Sequence, residues 1–231
     1  MAFEFETKPK FVTFDMNGTL IKFAIADATR EVLGDRLPAE IADAYLQATK
    51  AYRIDECMGD YKPFHQIIAN SMERASRRLG LEYRESDAKA VYDIVPTWTP
   101  YPGVTAALNR LAEEVPLVII TNSDTEMGER LAANLEAPFK TVITAEESGY
   151  YKPRLAAFEY MFNKLGVTPD ELVHVSASPM YDLRSAAILG IKNKVYVDRG
   201  FEHDEYWLGY ERITDIADLP VLFGLPRPAA S

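Results

Sequence analysis

Short apolar segments alternate with longer helical segments along most of this chain, and that alternation constrains the fold more than any other feature. The apolar segments are rich in β-branched and aromatic side chains and cover residues 11–14, 117–120, 141–144, 172–175 and 194–197. Helical patterns of ten residues or so separate the last four. Parallel strands need long crossover connections, which are usually helices. The sequence therefore predicts an α/β fold, a doubly wound (Rossmann-like) parallel sheet.

A second region shows helical periodicity only. Residues 21–97 contain no convincing strand pattern, whereas apolar residues recur at helical spacing over the segments 25–33, 38–58, 64–79 and 86–94. We therefore predict a helical cap domain, residues 21–97, inserted after the first strand. The α/β core then consists of residues 1–20 and 98–231.

Composition excludes several classes of partner. The 231 residues carry a formal net charge of −10, with a pI of about 4.9, which argues against nucleic acid and anionic membranes as partners. No apolar run reaches the length of a transmembrane helix. The single cysteine, Cys57, cannot form an internal disulfide, so a cytoplasmic location is expected. An anionic substrate would need a local basic group.

Polar residues follow four of the predicted strands. Asp15 comes directly after the first strand, and Thr121 and Asn122 follow the second. Lys152 lies beyond the third, and the segment from Ser176 to Asp182 follows the fourth. Because the carboxyl ends of parallel strands meet at one edge of a sheet, these groups are expected to surround one crevice.

The order of these segments resembles the haloacid dehalogenase superfamily. The resemblance covers essentially the whole chain and depends on four short sequences: Phe14-Asp-Met-Asn-Gly-Thr-Leu20, Ile120-Thr-Asn-Ser123, Tyr151-Lys-Pro153, and His174-Val-Ser-Ala-Ser-Pro-Met-Tyr-Asp182. A helical insertion between the first and second sequences is similar to the first cap type of that superfamily. The resemblance implies the same fold that the strand and helix pattern predicts.

Two positions separate branches of the superfamily. The phosphatases carry a general acid two residues after the nucleophile and a magnesium-binding aspartate in the fourth sequence. Here these positions are Asn17 and Ala177. The chain most resembles the type II (S)-2-haloacid dehalogenases, which implies a hydrolase of carbon–halide bonds that needs no metal and no cofactor.

The resemblance also implies the roles of individual residues. Asp15 would be the nucleophile, held by Lys152 and Thr19, while Asp182 orients the lysine and helps to activate water. Two serines, Ser176 and Ser178, would position these groups.

Residues around the substrate are expected on both domains. Thr121 and Asn122, at the end of a strand, suit a substrate carboxylate, and Asn122 with a cap arginine suits the departing halide. We expect Arg53 to be that arginine; a surface ion pair with Asp55 or Glu56 is the alternative. The remaining candidates for the substrate pocket are Asn17, Tyr61 and Trp98.

The predicted function is conversion of small (S)-2-haloalkanoic acids to (R)-2-hydroxy acids through an aspartyl ester. The alternatives are a ring-opening hydrolase of a 2-carboxylate such as L-azetidine-2-carboxylate, a magnesium-dependent phosphatase, and a non-catalytic binding protein. The expected partner is a small carboxylate substrate, and the resemblance allows a homodimer. His174 fits no catalytic triad and is predicted to be a packed core residue.

Overall fold

A computed structural model describes residues 8–228, so the ends of the predicted core, residues 1–7 and 229–231, lie outside the described residues. The chain divides into two compact units. One contains the described residues up to Lys22 and from Thr99 onward, and the other is Phe23–Trp98. Among the described residues, no helix combines the length and the apolar character needed to cross a membrane.

The secondary structure follows the predicted alternation. The strands are β1 Phe11–Phe14, β2 Leu117–Thr121, β3 Phe139–Thr144, β4 Leu172–Ser176, β5 Asn193–Val197 and β6 Glu211–Ile213. The helices are α1 Ile25–Leu33, α2 Ala39–Met58, α3 Phe64–Leu79, α4 Glu85–Ile94, α5 Val104–Ala112, α6 Thr125–Ala133, α7 Ala145–Ser148, α8 Leu155–Leu165, α9 Arg184–Ile188 and α10 Leu219–Leu222. A π-helix, Pro179–Leu183, precedes α9 between β4 and β5, where the sequence pattern predicts one ordinary helix.

All six strands form one parallel sheet in the order β3-β2-β1-β4-β5-β6. Strand β1 is central, because both of its edges are paired; its side chains are buried except for that of Phe11, which is partly buried. The predicted fold class is confirmed. Strand β6 was not predicted, because its three residues, Glu-Arg-Ile, carry two charges and no alternation.

The strand order locates the crevice of the sheet. From β1 the chain builds outward through β2 and β3, and then returns to place β4 on the other side of β1. In doubly wound sheets, ligands bind where the order reverses, outside the carboxyl ends of the strands. That point lies between β1 and β4, where Asp15 and Ser176 stand.

The unit Phe23–Trp98 is helical, with α1 to α4 close to their predicted bounds. Apolar residues of α3, including Ile67, Ile68 and Met72, are buried. Gly80 ends α3 with a left-handed φ of 70°. A buried Tyr45 of α2 contributes its hydroxyl to a 3.2 Å hydrogen bond with Ser76 of α3.

Gly128 of α6 marks a close approach between a helix and the sheet. A Cβ at this position would lie 2.7 Å from Ser123 Oγ and 2.9 Å from Thr144 Cγ2. Gly128→Ala is therefore expected to lower the free energy of unfolding by about 1–2 kcal/mol, because the steric cost exceeds the gain in helix propensity of about 1 kcal/mol. Denaturant titration measures this loss.

The exposed Glu129 on the same helix provides the control. Glu129→Ala is expected to change the free energy of unfolding by less than about 0.5 kcal/mol. A Gly128→Ala protein as stable as the parent would contradict the predicted clash.

Candidate active site

A buried ammonium group joins two carboxylates at the carboxyl edge of the sheet. Lys152 Nζ lies 2.8 Å from Asp15 Oδ1 and 2.8 Å from Asp182 Oδ1, and donates a third hydrogen bond of 2.9 Å to the carbonyl oxygen of Ile120. Lys152 is 1% exposed and Asp182 is fully buried. All three hydrogens of the ammonium are thus used within the protein.

Asp15 is held from its other side by the turn that follows β1. Gly18 adopts a φ of 94°, and this turn brings Thr19 Oγ1 within 2.5 Å of Asp15 Oδ2. The same hydroxyl accepts a hydrogen bond of 2.8 Å from the backbone N–H of Ala177. Arg199, whose guanidinium lies 4.0 Å from the centre of the Tyr101 ring, donates to the carbonyl oxygen of Thr19. The nucleophile candidate therefore has both oxygens fixed.

Burial and charge set different ionisation tendencies for the three groups. Burial raises the pKa of Asp15, and the charge of Lys152 opposes that rise without cancelling it. Burial also acts to raise the pKa of Asp182, but the charge of Lys152 and a hydrogen bond from His174 lower that pKa below its usual value. The pKa of Lys152 is raised, since the two carboxylates outweigh the effect of burial. Of the two acids, Asp15 is 7% exposed and Asp182 is fully buried, so Asp15 is the acid that solvent reaches.

Asn122 fixes the backbone of the lysine. Its side-chain Oδ1 accepts a hydrogen bond of 2.7 Å from the Lys152 N–H, and its Nδ2 donates one of 2.8 Å to the Lys152 carbonyl oxygen. Asn122 was predicted to contact the substrate, whereas its two hydrogen bonds to the backbone of Lys152 were not predicted. The reciprocal amide-to-backbone pairing anchors the lysine to the end of β2.

Several buried polar atoms at this edge have no hydrogen-bond partner within residues 8–228. They are Asn17 Oδ1, Thr121 Oγ1, Ser123 Oγ and Asp182 Oδ2. Buried polar atoms are usually paired, so unpaired ones are expected where water or a ligand binds. Together with the lysine and its two carboxylates, they define the candidate active site.

Comparison with known proteins places the chain in a family. A model of the haloacid dehalogenase-like hydrolase family matches residues 9–190, which is most of the chain. The chain belongs to the haloacid dehalogenase-like hydrolases. The predicted family is confirmed, as is the prediction that the chain is an enzyme of the hydrolase class.

The similar proteins within this hydrolase family include dehalogenases. The (S)-2-haloacid dehalogenase of Xanthobacter autotrophicus is 31% identical over 175 residues, which are 73% of this chain and 68% of the relative. Haloacetate dehalogenase H-2 of Moraxella sp. (strain B) is 26% identical over 204 residues, which are 86% of this chain and 90% of the relative. The predicted resemblance to (S)-2-haloacid dehalogenases is thus confirmed.

A solved structure shows the same fold. The L-2-haloacid dehalogenase from Xanthobacter autotrophicus with chloropropionic acid covalently bound has a TM-score of 0.75 and 23% identity to this chain. The match covers 94% of this chain and 98% of that chain.

The residues of this hydrolase do not fit a bound Mg²⁺ ion. Magnesium prefers several carboxylate oxygens in octahedral geometry. Here Asp15 and Asp182 both bind the Lys152 ammonium, and the positions where the phosphatases carry acids hold Asn17 and Ala177. Across the described part of the chain, no three His, Cys, Asp or Glu side chains group in a way that could hold a metal ion.

The two serines of the fourth sequence segment have different surroundings. Ser176 Oγ accepts a 3.0 Å hydrogen bond from the Ser178 N–H at the end of β4. Ser178 Oγ donates to Glu202 and accepts from the N–H of Tyr181, so it caps the π-helix. The hydroxyl of Ser178 therefore orders the segment that carries Asp182.

Three candidate residues belong to the unit Phe23–Trp98. Arg53 is buried in α2, with its guanidinium 5.4 Å from the centre of the Phe23 ring, and Phe23 packs edge-on against Trp98 at 5.2 Å. Tyr61 is half-buried between α2 and α3. The two acids considered as surface partners of Arg53 both pair with Arg74.

Proposed function

We propose that this hydrolase removes halide from small (S)-2-haloalkanoic acids and releases (R)-2-hydroxy acids. The observation that carries the proposal is the Asp15 carboxylate, fixed by Lys152 and Thr19, in a site whose phosphatase acids are replaced by Asn17 and Ala177. The names of the dehalogenase relatives support the same reaction class.

In the first step the Asp15 carboxylate attacks C2 of the substrate. The new C–O bond forms as the carbon–halogen bond breaks, halide leaves with the bonding electron pair, and C2 inverts. The product is an ester between Asp15 and the 2-carbon of the acid. Lys152 and Thr19 keep the carboxylate in position for this attack and balance its charge.

In the second step water hydrolyses the ester. Water attacks the side-chain carbonyl carbon of Asp15, and its proton passes to Asp182, whose Oδ2 is the unpaired buried acceptor. Cleavage of the acyl C–O bond frees the hydroxy acid, which takes up that proton. The second proton of the water is released, and Asp15 returns to its ionised form.

The substrate carboxylate and the halide need hydrogen-bond donors. Thr121 Oγ1 has no partner among the described residues and stands at the end of β2, where backbone N–H groups precede α6. We assign the substrate carboxylate to this end of β2. Arg53 and the remaining N–H of Asn122 are assigned to the halide, while Asn17, Tyr61 and Trp98 are assigned to the walls of the pocket.

Halide release tests the proposal directly. We expect purified protein to release chloride from (S)-2-chloropropionate with less than about a twofold change when a chelator is present, because no step uses a metal. The (R)-enantiomer should react at least about 100-fold more slowly, because the attack requires one face of C2. Ion chromatography of chloride and chiral analysis of lactate measure both.

Two outcomes would overturn the proposal. One is the absence of halide release from every 2-haloacid, with hydrolysis of a phosphate ester that stops when chelator is added. The other is ring opening of L-azetidine-2-carboxylate without dehalogenation, which would keep the ester route but replace the substrate.

A further inference from the structure

A line of buried hydrogen bonds extends from Asp182 into the sheet, away from Lys152. His174 Nε2 lies 3.1 Å from Asp182 Oδ1, and His174 Nδ1 lies 2.8 Å from Thr13 Oγ1. Thr13 and His174 are opposite residues in the register of β1 and β4, so their side chains share one face of the sheet. All three side chains are fully buried. His174 is buried, as its place in an apolar strand predicts, but both nitrogens of its ring lie within hydrogen-bond distance of a polar side chain.

The direction of each hydrogen bond follows from the groups involved. An ionised carboxylate can only accept, so His174 Nε2 must carry a hydrogen and donate it to Asp182. In the neutral ring, Nδ1 is then an acceptor and the hydroxyl of Thr13 donates to it. The threonine hydroxyl has the carbonyl oxygen of Val173, 3.2 Å away, as a second acceptor.

Both donors to Asp182 reach the same oxygen. Lys152 and His174 bind Oδ1, whereas Oδ2 has no partner in the described part of the chain. A carboxylate held by one donor can turn about its last side-chain bond, because that torsion is soft. A second donor from a different direction fixes the plane of the carboxylate and keeps Oδ2 free for water.

We propose that His174 is a positioning residue for the ester-hydrolysis step, and that it acts by fixing Asp182 with Oδ2 free. This inference rests on the proposed function, in which Asp182 takes the proton of the attacking water. His174 has no role in the attack of Asp15 on the substrate. Its loss should therefore slow hydrolysis of the ester and leave formation of the ester unchanged.

His174→Phe separates this role from simple packing. The ring of His174 packs edge-on against Phe158, with 5.3 Å between centroids, and a phenyl ring keeps that contact while it removes both nitrogens. Thr13 keeps an acceptor in the carbonyl oxygen of Val173. His174→Gln, which retains an N–H donor, is the matched rescue variant.

Single-turnover rapid quench with (S)-2-chloropropionate measures the two steps separately. Chloride release reports ester formation, and mass spectrometry of the quenched protein reports ester decay. In His174→Phe we expect chloride release within about threefold of the parent and ester decay slower by about 10- to 100-fold, the range for loss of one charge-assisted hydrogen bond. His174→Gln should recover most of the decay rate.

The inference is wrong if His174→Phe leaves ester decay unchanged, or if both steps slow by the same factor. If that variant does not fold, Thr13→Val decides the question on the same measurement: slower ester decay alone supports the inference, and unchanged decay overturns it. Failure of the proposed function is distinguishable, because the parent protein itself would then release no chloride.

Discussion

Asp15→Asn is expected to abolish halide release, with a loss of about 10⁴-fold or more. The amide is far less nucleophilic than the carboxylate and cannot form the ester. The substitution keeps the shape of the side chain and an oxygen that can accept the hydrogen bond of Thr19. It also leaves Lys152 paired with Asp182, so the variant should remain folded. Chloride release and circular dichroism measure the two properties separately.

A second measurement tests whether Asp15 donates the hydroxyl oxygen of the first hydroxy acid. After one turnover in ¹⁸O-water, we expect the label in Asp15 and unlabelled oxygen in the first hydroxy acid, because water attacks the acyl carbon. Trypsin would release residues 11–22, in which Asp15 is the only acidic side chain, so the mass of that peptide locates the label. Label that enters the product first would mean that water attacks C2 directly and would contradict the ester route.

The exposed Asp170 serves as the control for the asparagine substitution. Asp170→Asn should retain the halide release of the parent. An Asp15→Asn protein that is folded and as active as this control would exclude Asp15 as the nucleophile.

Lys152→Met is expected to lower the free energy of unfolding by about 3–5 kcal/mol at neutral pH, the cost of breaking a buried ion pair. Methionine keeps the unbranched shape but removes the charge shared by Asp15 and Asp182. Both carboxylates would then be buried without a cation. Denaturant titration of the parent and the variant measures the difference.

The pH dependence of that difference gives a sharper test. Without Lys152, burial raises the pKa values of both acids in the folded state above their unfolded values. Such groups stabilise the fold below the unfolded pKa, and this contribution is lost as pH rises through the folded pKa. In the parent, burial acts to raise the pKa of both acids and Lys152 opposes that rise. The pKa of Asp182 ends below its usual value, so its contribution is present at neutral pH and declines in acid, while the pKa of Asp15 stays raised but less than it would without the lysine. The difference in free energy of unfolding between the parent and Lys152→Met should therefore be largest near neutral pH and should become smaller towards about pH 4.

Lys140 provides a matched control in the same sheet. It is exposed on β3, with its ammonium 5.8 Å from the centre of the Phe11 ring. Lys140→Met should cost less than about 1 kcal/mol. A loss of similar size in both variants, or a Lys152→Met deficit that does not change with pH, would contradict the role of the buried charges.

The fold could be predicted because its signals are local. Apolar segments such as Leu117–Thr121 are buried on both faces, so their composition alone identifies them as strands of a parallel sheet. In the unit Phe23–Trp98, helix α3 buries apolar residues at regular helical spacing, such as Phe64, Ile68 and Met72. Strand β6 has neither signal, since it depends on pairing with β5. The π-helix was missed because helical spacing does not distinguish an i to i+5 turn from an ordinary one.

Only those residues of the candidate site that lie at strand ends could be predicted from the sequence. Residues at strand ends, such as Asp15 and Lys152, could be grouped because topology brings strand ends together. The hydrogen bond between His174 and Thr13 could not be predicted this way, because it depends on the register between β1 and β4, which the sequence does not specify. One signal that His174 faces the site was available. His174 and Ser176 are two residues apart on one strand, so their side chains face the same side of the sheet.

The central position of β1 also determines when the site can form. Thr13 of β1 binds Val173, a residue 160 positions further along the chain, and the other neighbour of β1 is the distant strand β2. During synthesis on the ribosome, the strand that precedes Asp15 is made before both of its partners and stays unpaired until β2 and then β4 have been made. Contacts of such long range slow folding and leave an apolar segment exposed to association in the meantime. The Asp15–Lys152–Asp182 cluster therefore cannot form before residue 182 has been made, so activity would report a late stage of folding rather than its onset.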